Sequence, residues 1–330
     1  MAQTHQAPQA ILLRDHGGPE VLRLEDIAVA TPGPGEVRLR QSAVGVNFHD
    51  CYVRSGLYRT LKLPGIPGLE GAGTVEAVGA GVTGFAPGDR VAYFSAAYGG
   101  YASHRLIAAD RLVKIPAGVS ETVAASLMIK GLTAGMLVKK VHAIGPGDTV
   151  LVHAAAGGVG LLLCQWARHL GARVLGTAGS AEKAALARQA GCEAVILYRE
   201  EDFVARVRDL TDGQGVTVAY DSVGKDTFYG SMDCLAPLGH LVNFGQSSGP
   251  IEPMAVSLLS KGSYSLTRPM LFHYCATRPA LEAMAADLFA AVAGGVLSVP
   301  EPAALPLAEA AEAHRRLEAR ETTGALVLTP

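Results

Sequence analysis

Val150-Leu151-Val152-His153-Ala154-Ala155-Ala156-Gly157-Gly158-Val159-Gly160 is the stretch whose reading decides the fold. Thr149 to His153 is a short run of β-branched and aliphatic residues, the mark of a strand buried on both faces. Ala154 to Gly158 form a small-residue turn, and Val159 to His169 reads as a helix ended by Gly171. Strand, glycine turn and helix N-terminus together make a phosphate site, because the first N–H groups and the positive end of the helix dipole face the pyrophosphate of a dinucleotide. The spacing is A-x-x-G-x-x-G, not the commoner G-x-G-x-x-G, and glycines that merely let helix and strand pack closely would look the same.

The next element narrows the ligand. In an NAD site the second strand ends, about twenty residues on, in an acid that binds the ribose 2′-hydroxyl. Here Arg173 to Thr177 runs into Ala178-Gly179-Ser180 and supplies neither Asp nor Glu. Ser180 is placed to cap a helix carrying Lys183 in its first turn, where a cation opposes the helix dipole. A lysine there makes sense facing an anion, and the 2′-phosphate of NADP is the obvious one. The alternative is a solvated surface lysine.

From Asp148 onward strands and helices alternate: strands 149–153, 173–177, 194–197, 216–220 and 239–244, helices 159–170, 181–190, 201–210 and near 225–235. That pattern predicts a doubly wound parallel sheet. Residues 9–115 instead show short strands (9–14, 21–29, 36–46, 71–78, 90–93) broken by turns such as Thr31-Pro32-Gly33-Pro34-Gly35, which predicts a small barrel or sandwich. Ser120 opens a helical region reaching about Ala143. The tail holds helix 279–293, a Pro-rich link at 300–306, helix 307–319 and a final strand 325–329. A lone last strand needs a sheet, and the N-terminal barrel is its natural host. The expected organisation is a discontinuous barrel domain, 1–128 with 274–330, interrupted by a dinucleotide domain at 129–273, with the active site in the cleft between them.

A length of 330 residues suits two domains, and a net charge of −2 without long charge runs argues against nucleic-acid or anionic-membrane partners. Glycine, 39 of 330 residues, exceeds the roughly 7% of average usage and implies many tight turns. No uninterrupted apolar run approaches the roughly 18 residues of a membrane span. Met1 to Pro8 is polar, unlike a signal peptide. Cys51, Cys164, Cys192, Cys234 and Cys275 are scattered singly, which predicts reduced, buried thiols in a cytoplasmic protein.

The order of several stretches resembles the zeta-crystallin-like NADPH:quinone oxidoreductases of the medium-chain dehydrogenase/reductase superfamily. They are His16-Gly17-Gly18-Pro19-Glu20-Val21-Leu22, Gly45 to Asp50, Arg54 to Tyr58, Lys130 to Thr133, His153 to Gly160, Tyr198 to Asp202, Tyr220 to Gly224, Phe244 to Gly249 and Thr267-Arg268-Pro269. The resemblance spans essentially the whole chain and implies a GroES-like β-barrel catalytic domain plus a Rossmann domain. It implies that Gly157, Gly158, Val159 and Gly160 hold the pyrophosphate of NADPH. It likewise implies that Lys183 and Tyr198 bind the 2′-phosphate side, with Arg320 a third contact or simply the end of its helix, and that Gly179 and Ser180 are further cofactor-binding residues. Asn47, Tyr52, Thr133 and the turn of Phe244, Gly245, Gln246 and Ser247 would lie around the nicotinamide and its ribose, with Ser222 and Thr267 as further cofactor-binding residues. Zinc alcohol dehydrogenases of the same superfamily carry a cysteine where Asn47 stands and a histidine where Leu69 stands. A catalytic zinc needs three protein ligands, so no metal is expected.

The expected activity is zinc-independent reduction of quinones by NADPH, with Asn47 and Tyr52 as polar groups near the acceptor oxygen and Tyr52 a candidate proton donor. Asn47 could equally satisfy a turn and Tyr52 a barrel edge. Two other readings stand beside it: an NADPH-dependent reductase of enones or 2-alkenals, and a non-catalytic, crystallin-like NADPH-binding protein. The family precedent for assembly is a homodimer joined at the edge of the Rossmann sheets.

Overall fold

The computed structural model describes residues 7–330; Met1–Gln6, most of the polar N-terminal segment read above, lie outside the described residues. The chain divides into two compact units. One holds the described residues up to Ile129 with Cys275–Phe289 and Val299–Pro330, the other Lys130–Tyr274 with Ala290–Ser298.

The first unit is built on β3 (Glu36–Gly45). A ribbon of β1 (Gln9–Leu13) and β2 (Leu22–Asp26) precedes it, and β4 (Glu70–Val78), β5 (Arg90–Phe94), β6 (His104–Ala108) and β7 (Leu112–Lys114) follow. Both β4 and β6 pair antiparallel with β3. Alternate residues of β3, Val37, Leu39, Gln41 and Ala43, point inward, the two-residue period of a strand with one face in a core. Val75, Val91, Tyr93, Ile107 and Leu112 complete that interior.

One local expectation is corrected here. Phe48–Ser55, where Tyr52 was open to a place on a barrel edge, is a helix, α1. Its signals were in the sequence: Asn47 at the N-cap, Asp50 three residues on accepting from the Asn47 N–H at 2.9 Å, and Gly56 at φ 84° closing the C-terminus.

The second unit begins within α2 (Glu121–Met136), whose last turn widens into a π-turn at Leu137–Val141. By length and mean hydropathy of 1.3, Glu121–Val141 is long and apolar enough to cross a bilayer, although 72% of its most apolar window is buried inside the protein. Lys130, Lys139 and Lys140 interrupt its apolar run. Four strand–helix steps and a fifth strand follow: β8 (Thr149–Val152), α3 (Gly158–His169), β9 (Arg173–Ala178), α4 (Ala181–Gln189), β10 (Ala194–Leu197), α5 (Phe203–Leu210), β11 (Val216–Asp221), α6 (Phe228–Asp233) and β12 (Leu235–Asn243). An unforeseen β13 (Ser265–Thr267) ends the sheet, whose order is β10-β9-β8-β11-β12-β13. All its pairings are parallel. The order reverses between β8 and β11, which puts the ligand crevice at the carboxyl ends of those strands.

After α7 (Leu271–Tyr274) and α8 (Arg278–Ala293), the tail expected as barrel throughout gives Ala290–Ser298 to the sheet unit. There Gln165 on α3 accepts from the Ser298 N–H at 2.7 Å. The supposed Pro-rich link contains a strand, β14 (Ala303–Pro306), parallel to the last strand, β15 (Leu326–Thr329), with α9 (Ala310–Glu318) between them. β15 joins β3 antiparallel, as a lone final strand required. All five cysteines are free and buried, and the pair Cys164–Cys192, far apart in sequence, meets at 3.4 Å.

Candidate dinucleotide and acceptor site

After β8 the chain turns through Ala154, a non-glycine at φ 51°, and the Gly157 N–H closes the turn onto the Ala154 carbonyl at 2.8 Å. Gly157, extended at φ −78° and ψ 171°, is the N-cap of α3; no side chain caps the helix and no acid sits in its first turn. The first N–H groups of α3 therefore have no intrahelical acceptor. The glycines here have separate jobs. A Cβ on Gly160 would strike the Ala154 carbonyl oxygen and lie 2.9 Å from the Ala155 backbone, so this glycine lets helix meet strand. A Cβ on Gly157 would meet only the Ala154 oxygen, at 3.1 Å, so larger side chains there would grow into the space before the helix. That cradle fits a pyrophosphate.

At the next strand end, Ser180 caps α4 by accepting from the Lys183 N–H at 3.3 Å, which fixes half-buried Lys183 in the first turn. Tyr198, just past β10, bonds through its N–H to the Ala178 carbonyl at 3.2 Å. Its hydroxyl lies 2.8 Å from where a Cβ on Gly179 would stand. Gly179, Ser180, Lys183 and Tyr198 are thus brought together around one turn. Arg320 belongs to the other unit, in a left-handed conformation (φ 59°) just past α9.

The ends of β11 and β12 are locked to each other. Buried Asp221 accepts from the N–H groups of Val223 (2.8 Å) and Gly224 (3.0 Å) and from the Thr227 hydroxyl (2.8 Å), which shapes the turn at Ser222. The Phe244 N–H donates to the Asp221 carbonyl at 2.8 Å and the Ser247 N–H to that of Ser222 at 3.2 Å. Arg268 donates to the Gly245 carbonyl at 2.8 Å and reaches the Gln246 side chain at 3.4 Å. Asp221 and Arg268, given no role on sequence grounds, hold the 244–247 loop. Both stood in the stretches that carry the resemblance, but a supporting bond has no spacing of its own to read. Thr267 is engaged elsewhere, its hydroxyl 2.8 Å from His240 Nε2, and Thr133 is half-buried on α2. The His240 pKa is lowered by burial and by neighbouring His142.

In the barrel unit, buried Asn47 donates from Nδ2 to Glu70 Oε1 at 2.7 Å, and Glu70 Oε2 accepts from the Ile129 N–H at 2.5 Å. Leu69 is fully buried among the apolar side chains. Tyr52 lies on α1, not on a barrel edge, with its ring edge-on to Tyr58 at 5.1 Å and 6.0 Å from Phe48. His49 sits 5.5 Å from Tyr58 and 6.1 Å from Tyr98, and burial lowers its pKa to about 4. Phe48, His49, Tyr52, Tyr58 and Tyr98 form a partly exposed aromatic wall. Only Tyr52 was foreseen. The four-residue step from Phe48 to Tyr52 would have shown more had 48–55 been read as a helix. Among the described residues no group of three or more His, Cys, Asp or Glu side chains could hold a metal ion.

A parallel sheet that offers an uncapped helix N-terminus at its switch point, in a chain that also carries a barrel unit, defines a dinucleotide-dependent oxidoreductase of the dehydrogenase type. Family models agree: the alcohol dehydrogenase GroES-like domain matches residues 33–117 and the zinc-binding dehydrogenase domain residues 158–286. The chain is 49% identical over 316 residues to a quinone oxidoreductase of Pseudomonas aeruginosa, covering 96% of this chain and 97% of that one. It is 44% identical over 328 residues to a 2-haloacrylate reductase of Burkholderia, covering 97% and 98%. The solved structure of an Escherichia coli quinone oxidoreductase complexed with NADPH is similar at a TM-score of 0.95 and 45% identity, covering 98% of this chain and all of that one. The chain belongs to the quinone oxidoreductase family of the medium-chain dehydrogenases and reductases.

Proposed function

We propose that the protein is an NADPH-dependent quinone oxidoreductase that works without zinc. The observation carrying this reading is the turn after β9, where Tyr198 lies against Gly179, Ser180 sets Lys183 in the first turn of α4, and the strand ends without an acid. Bound NADPH supplies the hydride, and the protein supplies position and electrostatics. Gly157 to Gly160 would hold the pyrophosphate, Lys183 and Tyr198 the 2′-phosphate, and the 244–247 loop, kept in place by Asp221 and Arg268, the nicotinamide side. Asn47 and Tyr52 would stand near the acceptor oxygen, where a donor stabilises charge that develops on reduction. A quinone is already electrophilic, so Lewis-acid polarisation is less needed than for an alcohol.

A second reading, reduction of a conjugated C=C bond, is favoured by the likeness to the 2-haloacrylate reductase. Steady-state NADPH oxidation against a panel of quinones and enones, with product analysis, tests both. Turnover with quinones alone supports the first reading and saturated carbonyl products the second. NADPH binding without any turnover would point to the non-catalytic alternative. A cytoplasmic homodimer completes the proposal. The open edge strand β13 and the exposed Leu238, Val256, Leu258 and Leu266 suit a second copy of the sheet unit.

A further inference from the structure

Arg199, the residue after Tyr198, is exposed, and its Nε lies 3.5 Å from the position a Cβ on Gly179 would occupy. Its side chain therefore leans over the same β9–α4 turn that Ser180 caps and Lys183 enters. No carboxylate pairs with Arg199 among the described residues. Glu201, two positions on, is taken by the Leu197 N–H and by Arg206, each at 2.9 Å. Asp202 caps α5 by accepting from the Val204 N–H at 2.9 Å. Elsewhere in the unit Arg173 and Arg206 hold ion pairs with Glu193 and Glu201. An arginine left without an acid beside a lysine and a helix N-terminus concentrates positive potential at one turn, which is unfavourable until an anion arrives.

We propose that Arg199 is a second cation for the 2′-phosphate of NADPH and, with Lys183, sets the preference for NADPH over NADH. This rests on the NADPH reading above. The division of labour follows from side-chain chemistry. Lysine offers a compact point charge from the helix, whereas the guanidinium offers a planar fork that can take two phosphate oxygens at once. Arginine reaches the turn from the segment after β10 and lysine from α4, so the two would grip the phosphate from different elements.

The test is equilibrium binding to the purified full chain, by nucleotide fluorescence or calorimetry, of NADPH, NADH, adenosine 2′,5′-bisphosphate and 5′-AMP. Arg199→Ala should weaken NADPH and the bisphosphate by roughly 10- to 150-fold, the range of a hydrogen bond to a charged group. NADH and 5′-AMP should stay within about twofold, and Arg199→Lys should recover part of the loss. Unchanged NADPH binding by Arg199→Ala would overturn the proposal. So would equal losses for both nucleotides, which would make Arg199 an adenine-stacking or structural residue. A wild-type protein that binds NADPH no better than NADH, and is indifferent to Lys183→Ala, would instead sink the NADPH reading itself.

Discussion

Asn47 and Glu70 are joined through a 2.7 Å hydrogen bond from the Asn47 amide to Glu70 Oε1, both side chains buried. Asn47 thus does two things: its backbone begins α1 while its side chain satisfies a carboxyl group inside the barrel unit. Removing the amide deletes one buried hydrogen bond to that carboxyl group, at a cost of about 1–3 kcal/mol. Asn47→Ala should accordingly melt several degrees below wild type. A melting temperature within a degree of wild type would mean that the bond carries no net stability.

The same pair bears on metal. Asn47 stands where the zinc enzymes carry cysteine, and its amide nitrogen donates to Glu70; Leu69 offers no donor atom at all. Activity should survive prolonged dialysis against a strong chelator, and elemental analysis should find well under one zinc per chain. A tightly held stoichiometric zinc whose removal stops turnover would contradict this.

Lys183 is fixed by the Ser180 cap in the first turn of α4. Lys183→Ala should weaken NADPH by roughly 10- to 150-fold while barely touching NADH. Equal losses for the two nucleotides would show that the lysine acts through the fold.

The sheet unit was legible from β8 to β11 because those strands are largely buried and each crossover between them is an α-helix, so periodicity changes sharply at each boundary. Residues 149–197 could be read almost to the residue. The barrel unit was harder. Its short strands carry mixed patterns, and α1 hid behind a capping pair whose acid is Asp50 instead of the usual Glu. At the site, the glycine turn after β8 and Lys183 after β9 could be read as candidates from spacing. Arg268 and Asp221 could not, because what they do is hold a loop that only the folded sheet brings to them.

Stability should fall on mild acidification, and His314 shows why. Its ring, fully buried, lies 3.6 Å from Cys51 Sγ through Nδ1 and 3.0 Å from the Tyr101 hydroxyl through Nε2, and Tyr101 donates to Asp50 Oδ2 at 3.1 Å. One proton assignment satisfies this chain: thiol to Nδ1, Nε2–H to the Tyr101 oxygen, phenol to carboxylate. Burial lowers the His314 pKa to about 3 and raises that of the Cys51 thiol, so the neutral forms persist. A depressed histidine pKa means that the unfolded chain binds the extra proton. The stabilisation is complete above the unfolded value, about 6.5, and is lost as pH falls from there toward 3, by up to about 1.4 kcal/mol per unit. His49, His153 and His240 are shifted in the same direction. Denaturation midpoints measured at pH 7, 6 and 5 should therefore decline steadily. A flat profile down to pH 5, with loss only where carboxylates titrate, would rule the histidines out.

The phosphate turn yields the sharpest contrast, because Gly157 and Gly160 differ in what surrounds them. A side chain on Gly160 meets backbone at once, so Gly160→Ala must push α3 away from β8 and should lower the melting temperature of the unliganded protein. A side chain on Gly157 meets one carbonyl oxygen at 3.1 Å and otherwise grows outward over the N-terminus of α3. Gly157→Val should stay folded with a melting temperature near wild type, yet block the pyrophosphate. Ligand that binds only the native state stabilises it by about 2.7 kcal/mol at a hundredfold excess over Kd. Thermal melts with and without saturating NADPH should then show an upward shift for wild type and none for Gly157→Val. Gly160→Ala should start lower. A full shift in Gly157→Val would mean that the dinucleotide does not lie on this turn, and the assignment of the stretch from Val150 to Gly160 would fall with it.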